Sequence, residues 1–138
     1  MKQSDPIYEL LSRAKTIAVV GLSESPMRAS HGVSAYMQAA GYRIIPVNPA
    51  IAEALGEKAY PSLLEIPPDV AEKIDLVDVF RRPEHVDEIA EQAIRLKIPA
   101  IWLQEGVINE GAAEKARKAG IFVVMDRCVL KEHRARFG

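Results

Sequence analysis

Short apolar runs alternate with amphipathic segments along most of this chain. Five of the runs are apolar on both faces and rich in β-branched residues, which is typical of buried parallel strands. They predict strands over 16–20, 42–47, 74–80, 100–103 and 121–125. The segments between them repeat apolar residues every three to four positions, as helices do. They predict helices over 5–14, 30–40, 83–97 and 109–119, and a last helix from 126 to about 135.

Capping residues and helix breakers refine the boundaries of these elements. Asp5 and Asp126 precede the first and last helices as predicted N-caps. Residues 50–73 are less regular, because proline and glycine break them into short pieces, and one helical turn is expected near 62–65.

Strands that alternate with helices predict an α/β fold. We expect a Rossmann-like, doubly wound parallel sheet of five strands in the order 3-2-1-4-5, within three α/β/α layers. In that order the winding reverses between strands one and four, and ligands bind at the crevice that opens there. The length of 138 residues fits a single domain, 1–138.

Composition excludes several classes of protein. With 18 basic and 19 acidic residues the net charge is -1, so the basic excess of a nucleic-acid-binding protein is missing. The single cysteine rules out a disulfide framework within the chain and fits a reducing compartment. No apolar run reaches membrane-spanning length, and no signal peptide is evident. We therefore expect a cytoplasmic protein that does not bind membranes.

The loop after the first strand is the strongest candidate for a binding site. Gly21 permits a tight turn, and the following helix N-terminus favours anions. Serine hydroxyls and Arg28 add donors suited to phosphate oxygens. A plain loop of this fold also uses glycine and serine as turn and cap residues. The phosphate-binding residues predicted in this loop are Gly21, Leu22, Ser23, Pro26, Arg28 and Ser30.

The loop departs from the dinucleotide fingerprint. Only the first glycine of G-x-G-x-x-G is present, and the Walker pattern is absent. The second strand ends in Val47-Asn48-Pro49, without the acidic residue that holds the ribose hydroxyls of NAD. These three residues are candidates for contacting a ribose or an adenine, but NAD(P) is not favoured.

Two further strand ends carry candidate ligand contacts. Phe80 is placed to pack on an adenine or ribose and Arg81 to reach phosphate, or else Phe80 is core and Arg81 is solvated. Trp102 and Gln104 share one face of the fourth strand, with Gln104 at the crevice rim. Core packing is the simpler role for the ring of Trp102.

No catalytic residue is assigned. His31, His85 and His133 lack the spacing of zinc ligands, so no metal site is predicted. His31 or His85 as a general base stays open beside the simpler reading of surface histidines. Cys128 follows Arg127, whose charge would favour a reactive thiolate, although a small buried thiol is commoner.

Several blocks in order carry a resemblance to a known family. They are 18–23 with Pro26, Arg28 and Ser30, then 41–49, 60–63, 77–82, 100–106 and 124–128. The chain resembles the small CoA-binding proteins of the YccU-like family, which are similar to the N-terminal CoA-binding domain of the succinyl-CoA synthetase α subunit. Glu105 departs from the apolar or small residue expected there.

The resemblance implies that coenzyme A is the cofactor. Its pyrophosphate would lie on Gly21–Ser30, and its adenosine toward Asn48-Pro49 and Phe80-Arg81. Because the chain ends before a domain with a phosphorylated histidine, ligase activity is not implied.

We therefore expect a module that binds CoA or an acyl-CoA without catalysis of its own. The alternatives are a small enzyme acting on a CoA thioester or a nucleotide, and an NAD(P)-binding redox or regulatory domain. No residue pattern decides between a monomer, a homodimer and a complex with another protein.

Overall fold

A parallel sheet with helices on both faces forms the body of the protein in a computed structural model, which describes residues 5–138. The sheet strands are β1 (Thr16–Val20), β2 (Arg43–Val47), β5 (Leu76–Val79), β6 (Ala100–Leu103) and β7 (Phe122–Val124), and a separate hairpin is formed by β3 (Glu53–Ala54) and β4 (Glu57–Lys58). The helices are α1 (Pro6–Arg13), α2 (Ala29–Ala39), α3 (Pro68–Ala71), α4 (Val86–Arg95), α5 (Glu110–Lys118) and α6 (Val129–Phe137), with 3-10 turns at Leu63–Glu65 and Pro83–His85. The predicted Rossmann-like α/β fold is confirmed.

The five sheet strands run in the order β2-β1-β5-β6-β7, and all neighbours are parallel. Tyr60 adds one further parallel bridge to Val47, on the edge of β2 away from β1. If the Tyr60 bridge is counted as the third strand, the strands from this edge follow the predicted order 3-2-1-4-5, with β5 fourth and β6 fifth. β7 then adds a sixth position at the opposite edge. The segment 74–80, expected as the third strand, instead takes the fourth position beside β1. Pro61 prevents the Tyr60 segment from growing into a longer strand, because proline has no N–H for the ladder.

Two apolar layers hold the helices on the sheet. On one face α1, α2 and α6 contribute to a cluster that includes Leu10, Met37 and Val129. On the other face α3, α4 and α5 contribute to a cluster that includes Ile89 and Ala112. Every residue of β1, β5 and β6 is buried, as strands covered on both faces require. Among the described residues, no helix combines the length and the apolar character that a membrane crossing needs.

The start of the last helix differs from the prediction. The helix begins at Val129, because Asp126 has a positive φ of 61° and lies outside it. The Asp126 carboxylate accepts a hydrogen bond from the Gly106 amide at 2.8 Å, so it joins the β6 and β7 loops instead of capping α6.

Candidate functional site

The carboxyl ends of β1 and β5 approach each other at Gly21. Its φ is +89°, and a Cβ there would lie 2.4 Å from the Phe80 carbonyl oxygen and 3.0 Å from Cδ of Arg81. Only glycine fits this position, because an added side chain would overlap backbone. The close approach also places the aliphatic stem of Arg81 over the beginning of the predicted phosphate loop.

The loop Gly21–Ser30 is held by its own hydroxyl groups. Ser30 Oγ accepts from the Ser23 amide, and Ser23 Oγ accepts from the Ser25 amide, both at 3.0 Å. Each hydroxyl keeps its hydrogen available to donate. No side chain of the described residues caps α2 at Arg28. The amides of His31 and Gly32 donate to the Arg28 carbonyl, so the amides left for an anion are those of Ala29 and Ser30 at the start of the helix.

Asn48 joins the end of β2 to this loop. Its Nδ2 donates to the Leu22 carbonyl at 3.0 Å, and its Oδ1 accepts from the Ala50 amide at 2.9 Å. Both ends of the amide are therefore engaged in positioning backbone. Pro49, the next residue, is exposed at the carboxyl edge of the sheet.

Two clefts open on either side of Phe80-Arg81. The first cleft lies on the α4 side, and its lining includes Val47, Pro49, Ser62, His85 and Gln92. The second cleft lies on the α2 and α6 side, and its lining includes Ala29, Val33, Phe80, Gln104, Glu105 and Cys128. Arg81 lines both clefts. The two clefts therefore meet at Arg81, above Gly21.

A buried carboxyl lies beneath the second cleft. Asp78 is 2% exposed, and its Oδ1 accepts from Gln104 Nε2 at 2.5 Å. Burial raises the pKa of Asp78 to about 7, against the opposing effect of the hydrogen bond from Gln104. Gln104 Oε1 in turn accepts from the Val129 amide at 3.4 Å. Asp78 was not among the predicted site residues, although an acidic residue between two valines of a buried strand is a visible signal.

Trp102, a predicted ligand contact, is fully buried. Its indole Nε1 donates to the Arg127 carbonyl at 2.8 Å, which satisfies its one polar group. The ring is thus part of the core and lines neither cleft. Glu105 is exposed, and its carboxylate pairs with Lys131 at 3.0 Å.

The candidate chemical groups are dispersed. His85 lines the first cleft, whereas the half-buried Cys128 lines the second. His133 is buried against α2, where its Nδ1 lies 2.9 Å from the Tyr36 hydroxyl, and burial lowers its pKa. Within residues 5–138 no cluster of His, Cys, Asp or Glu is placed to hold a metal ion.

Comparison with known proteins gives a match over most of the chain. Residues 15–134 match the family model described as "CoA binding domain". The protein YneT of Bacillus subtilis is 50% identical over 127 residues, which cover 92% of this chain and 91% of that protein. A solved structure from Pyrococcus horikoshii has 39% identity and a TM-score of 0.90, with full coverage of both chains.

A larger enzyme also contains a similar region. The ADP-forming acetate–CoA ligase II of Archaeoglobus fulgidus is 27% identical over 124 residues, which cover 88% of this chain but only 17% of the ligase. The family expected from the sequence blocks is confirmed by these comparisons.

Proposed function

This chain belongs to the CoA binding domain family, and from that membership we propose that it acts as one domain that binds coenzyme A or an acyl-CoA. The pyrophosphate lies on Gly21–Ser30 and against Arg81. One observation carries this proposal: Arg81 lines both clefts while its stem lies over Gly21. Coenzyme A has the matching shape, since an adenosine arm and a pantetheine arm meet at an anionic pyrophosphate.

The side chains that line each cleft favour one arm of coenzyme A over the other. The first cleft joins Pro49 to polar groups of Ser62, His85 and Gln92, which suits the donors and acceptors of an adenosine. The lining of the second cleft is more apolar, and the side chains of Ala29 and Val33 lie in the same cleft as Gln104. It suits the pantetheine arm, which alternates methylene groups with amides.

The proposed contacts are the predicted ones without Trp102. Leu22 and Val47 are buried, so they contribute backbone and not side chain. Asn48 acts by holding the loop, through its bond to the Leu22 carbonyl. The full set is Gly21, Leu22, Ser23, Pro26, Arg28, Ser30, Val47, Asn48, Pro49, Phe80, Arg81 and Gln104.

The relatives support the ligand but not a reaction. The ligase of Archaeoglobus fulgidus carries CoA in its name, and the aligned region is a small part of it. We propose binding without ligase activity, in the cytoplasm. The dinucleotide alternative is weaker, because the end of β2 presents the engaged amide of Asn48 where NAD-binding domains carry a free carboxylate.

Native mass spectrometry of freshly purified protein tests this proposal. We expect a bound species with the mass of CoA or an acyl-CoA, which added CoA restores after the protein has been stripped of ligand. The variant Arg81→Gln should bind CoA more weakly than the wild type. Arg82→Gln is its matched control, because Arg82 is exposed and lies outside both cleft linings. A bound NAD(P) mass, together with no uptake of added CoA, would refute the proposal.

A further inference from the structure

Gln104 connects the floor of the second cleft to a carboxyl group inside the sheet. Gln104 lines the cleft, and its Nε2 lies 2.5 Å from Oδ1 of Asp78. Asp78 pairs in register with Val19 on one side and Trp102 on the other, so it occupies the centre of the sheet. The carboxyl is therefore one hydrogen bond away from the surface that the pantetheine arm is proposed to occupy.

No cation among the described residues forms an ion pair with Asp78. Lys131 pairs with Glu105, and Arg127 with Glu132. The titratable side chains that line the second cleft together with Gln104 are Arg81, Glu105 and Cys128, and Lys131 pairs with Glu105. The helices packed on this face also carry His31, in the first turn of α2, and Glu132, in the first turn of α6. A charged Asp78 is thus a buried anion without a counter-ion, stabilised by the side-chain amide of Gln104 and the backbone N–H of Val79, which is a costly arrangement.

We propose that Asp78 couples ligand binding to proton uptake, so that the protein takes up a proton at Asp78 when anionic coenzyme A binds. This inference rests on the proposed function. Its physical basis is repulsion between the phosphates of the ligand and a carboxylate that lies in a medium of low dielectric. Binding therefore favours the neutral carboxyl.

The direction of the pH effect follows from this repulsion. In the free protein the pKa of Asp78 is about 7, so the group is partly ionised at neutral pH. A bound polyanion raises that pKa further, and affinity falls as pH rises between the free and the bound values. For each unit by which the ligand raises the pKa, the dissociation constant increases about tenfold across this window.

Calorimetric titration of CoA near neutral pH, in two buffers that differ in ionisation enthalpy, measures the protons exchanged. We expect net uptake by the wild type and a smaller value for Asp78→Asn, whose amide oxygen still accepts from Gln104. Glu105→Gln, which removes an exposed carboxylate from the same cleft, is the matched control and should keep the uptake. Because all three proteins meet the same ligand, the ionisation of the 3′-phosphate cancels in the comparison.

A second measurement covers the case in which Asp78→Asn does not fold. In the ¹³C spectrum of the wild type, we expect one carboxyl resonance with a midpoint near neutral pH that moves upward when CoA is added. Equal proton exchange by wild type and Asp78→Asn, or a midpoint that CoA leaves unchanged, would overturn the inference while leaving CoA binding intact. Absence of CoA binding in the wild type would instead refute the proposed function.

Discussion

The carbonyl oxygen of Phe80 occupies the space that a side chain on Gly21 would need. A Cβ on Gly21 would lie 2.4 Å from that oxygen, and the backbone φ of +89° already favours glycine. The close approach of Gly21 to Phe80 joins the ends of β1 and β5 and positions Arg81 above the loop. One glycine therefore determines both the loop conformation and the junction of the two clefts.

Replacing Gly21 with alanine is expected to lower the free energy of unfolding by on the order of 3 kcal/mol, because strain at positive φ adds to a backbone clash. CoA binding should be lost as well. Gly32→Ala is the control, since Gly32 lies on α2 with no atom near its missing Cβ. That substitution should stabilise the protein by about 0.5–1 kcal/mol. Urea unfolding of both variants measures this difference. Equal stability of the two variants would contradict the strain and the backbone clash expected at Gly21.

Removing the charge of Arg81 is expected to weaken CoA binding by about 10–100-fold, the usual range for lost hydrogen bonds to a charged group. The measurement is a titration of Arg81→Gln against wild type. Arg82→Gln should change the affinity by less than about threefold, because it loses only long-range attraction. If the two variants weakened binding equally, Arg81 would act through general charge and not at the cleft junction.

Asn48→Ala is expected to destabilise the protein by about 1–2 kcal/mol, because the Leu22 carbonyl and the Ala50 amide each lose a partner. The loop should also become more mobile, and hydrogen exchange of its amides reports this directly. Unchanged exchange around Leu22, with unchanged stability, would show that the amide does not hold the loop.

Asp78→Asn is expected to change the pH dependence of stability. The folded pKa of about 7 lies above the unfolded value near 3.8, so the folded state binds the proton more tightly. Ionisation therefore reduces wild-type stability as pH rises between these two values, and the penalty is constant above about 7. The difference in the free energy of unfolding between Asp78→Asn and wild type should therefore rise in favour of the variant by on the order of 3 kcal/mol between about pH 4.5 and pH 8. Chemical unfolding at several pH values measures this, and a constant difference would contradict a raised pKa.

The elements of the fold were predictable because the signals for them are local. A buried strand such as β1 shows as a β-branched run, and Gly21 marks its end. The place of β5 beside β1 was not predictable, because pairing depends on where the chain crosses and Tyr60 contributes only one bridge. The prediction of Asp126 as the N-cap of the last helix was wrong for a related reason. Its sequence position suits a cap, but its carboxylate accepts a hydrogen bond from the amide of Gly106, which is 20 residues away.

The candidate site was predictable in part. The loop after β1 is recognisable from its position and residue types, whereas the role of Asn48 depends on a bond across 26 residues. Asp78 became important only when its burial and its contact with Gln104 were known. Trp102 shows the opposite case, in which an aromatic residue near a strand end proves to be fully covered.

Calorimetric titration of the stripped wild-type protein with CoA and, separately, with NADH tests whether the two clefts bind coenzyme A. We expect saturable binding of one CoA per chain, at least about tenfold tighter than NADH, since the β2 end lacks the carboxylate for the ribose of NAD. No measurable CoA binding, or tighter binding of NADH, would contradict the assignment of the two clefts to the arms of coenzyme A.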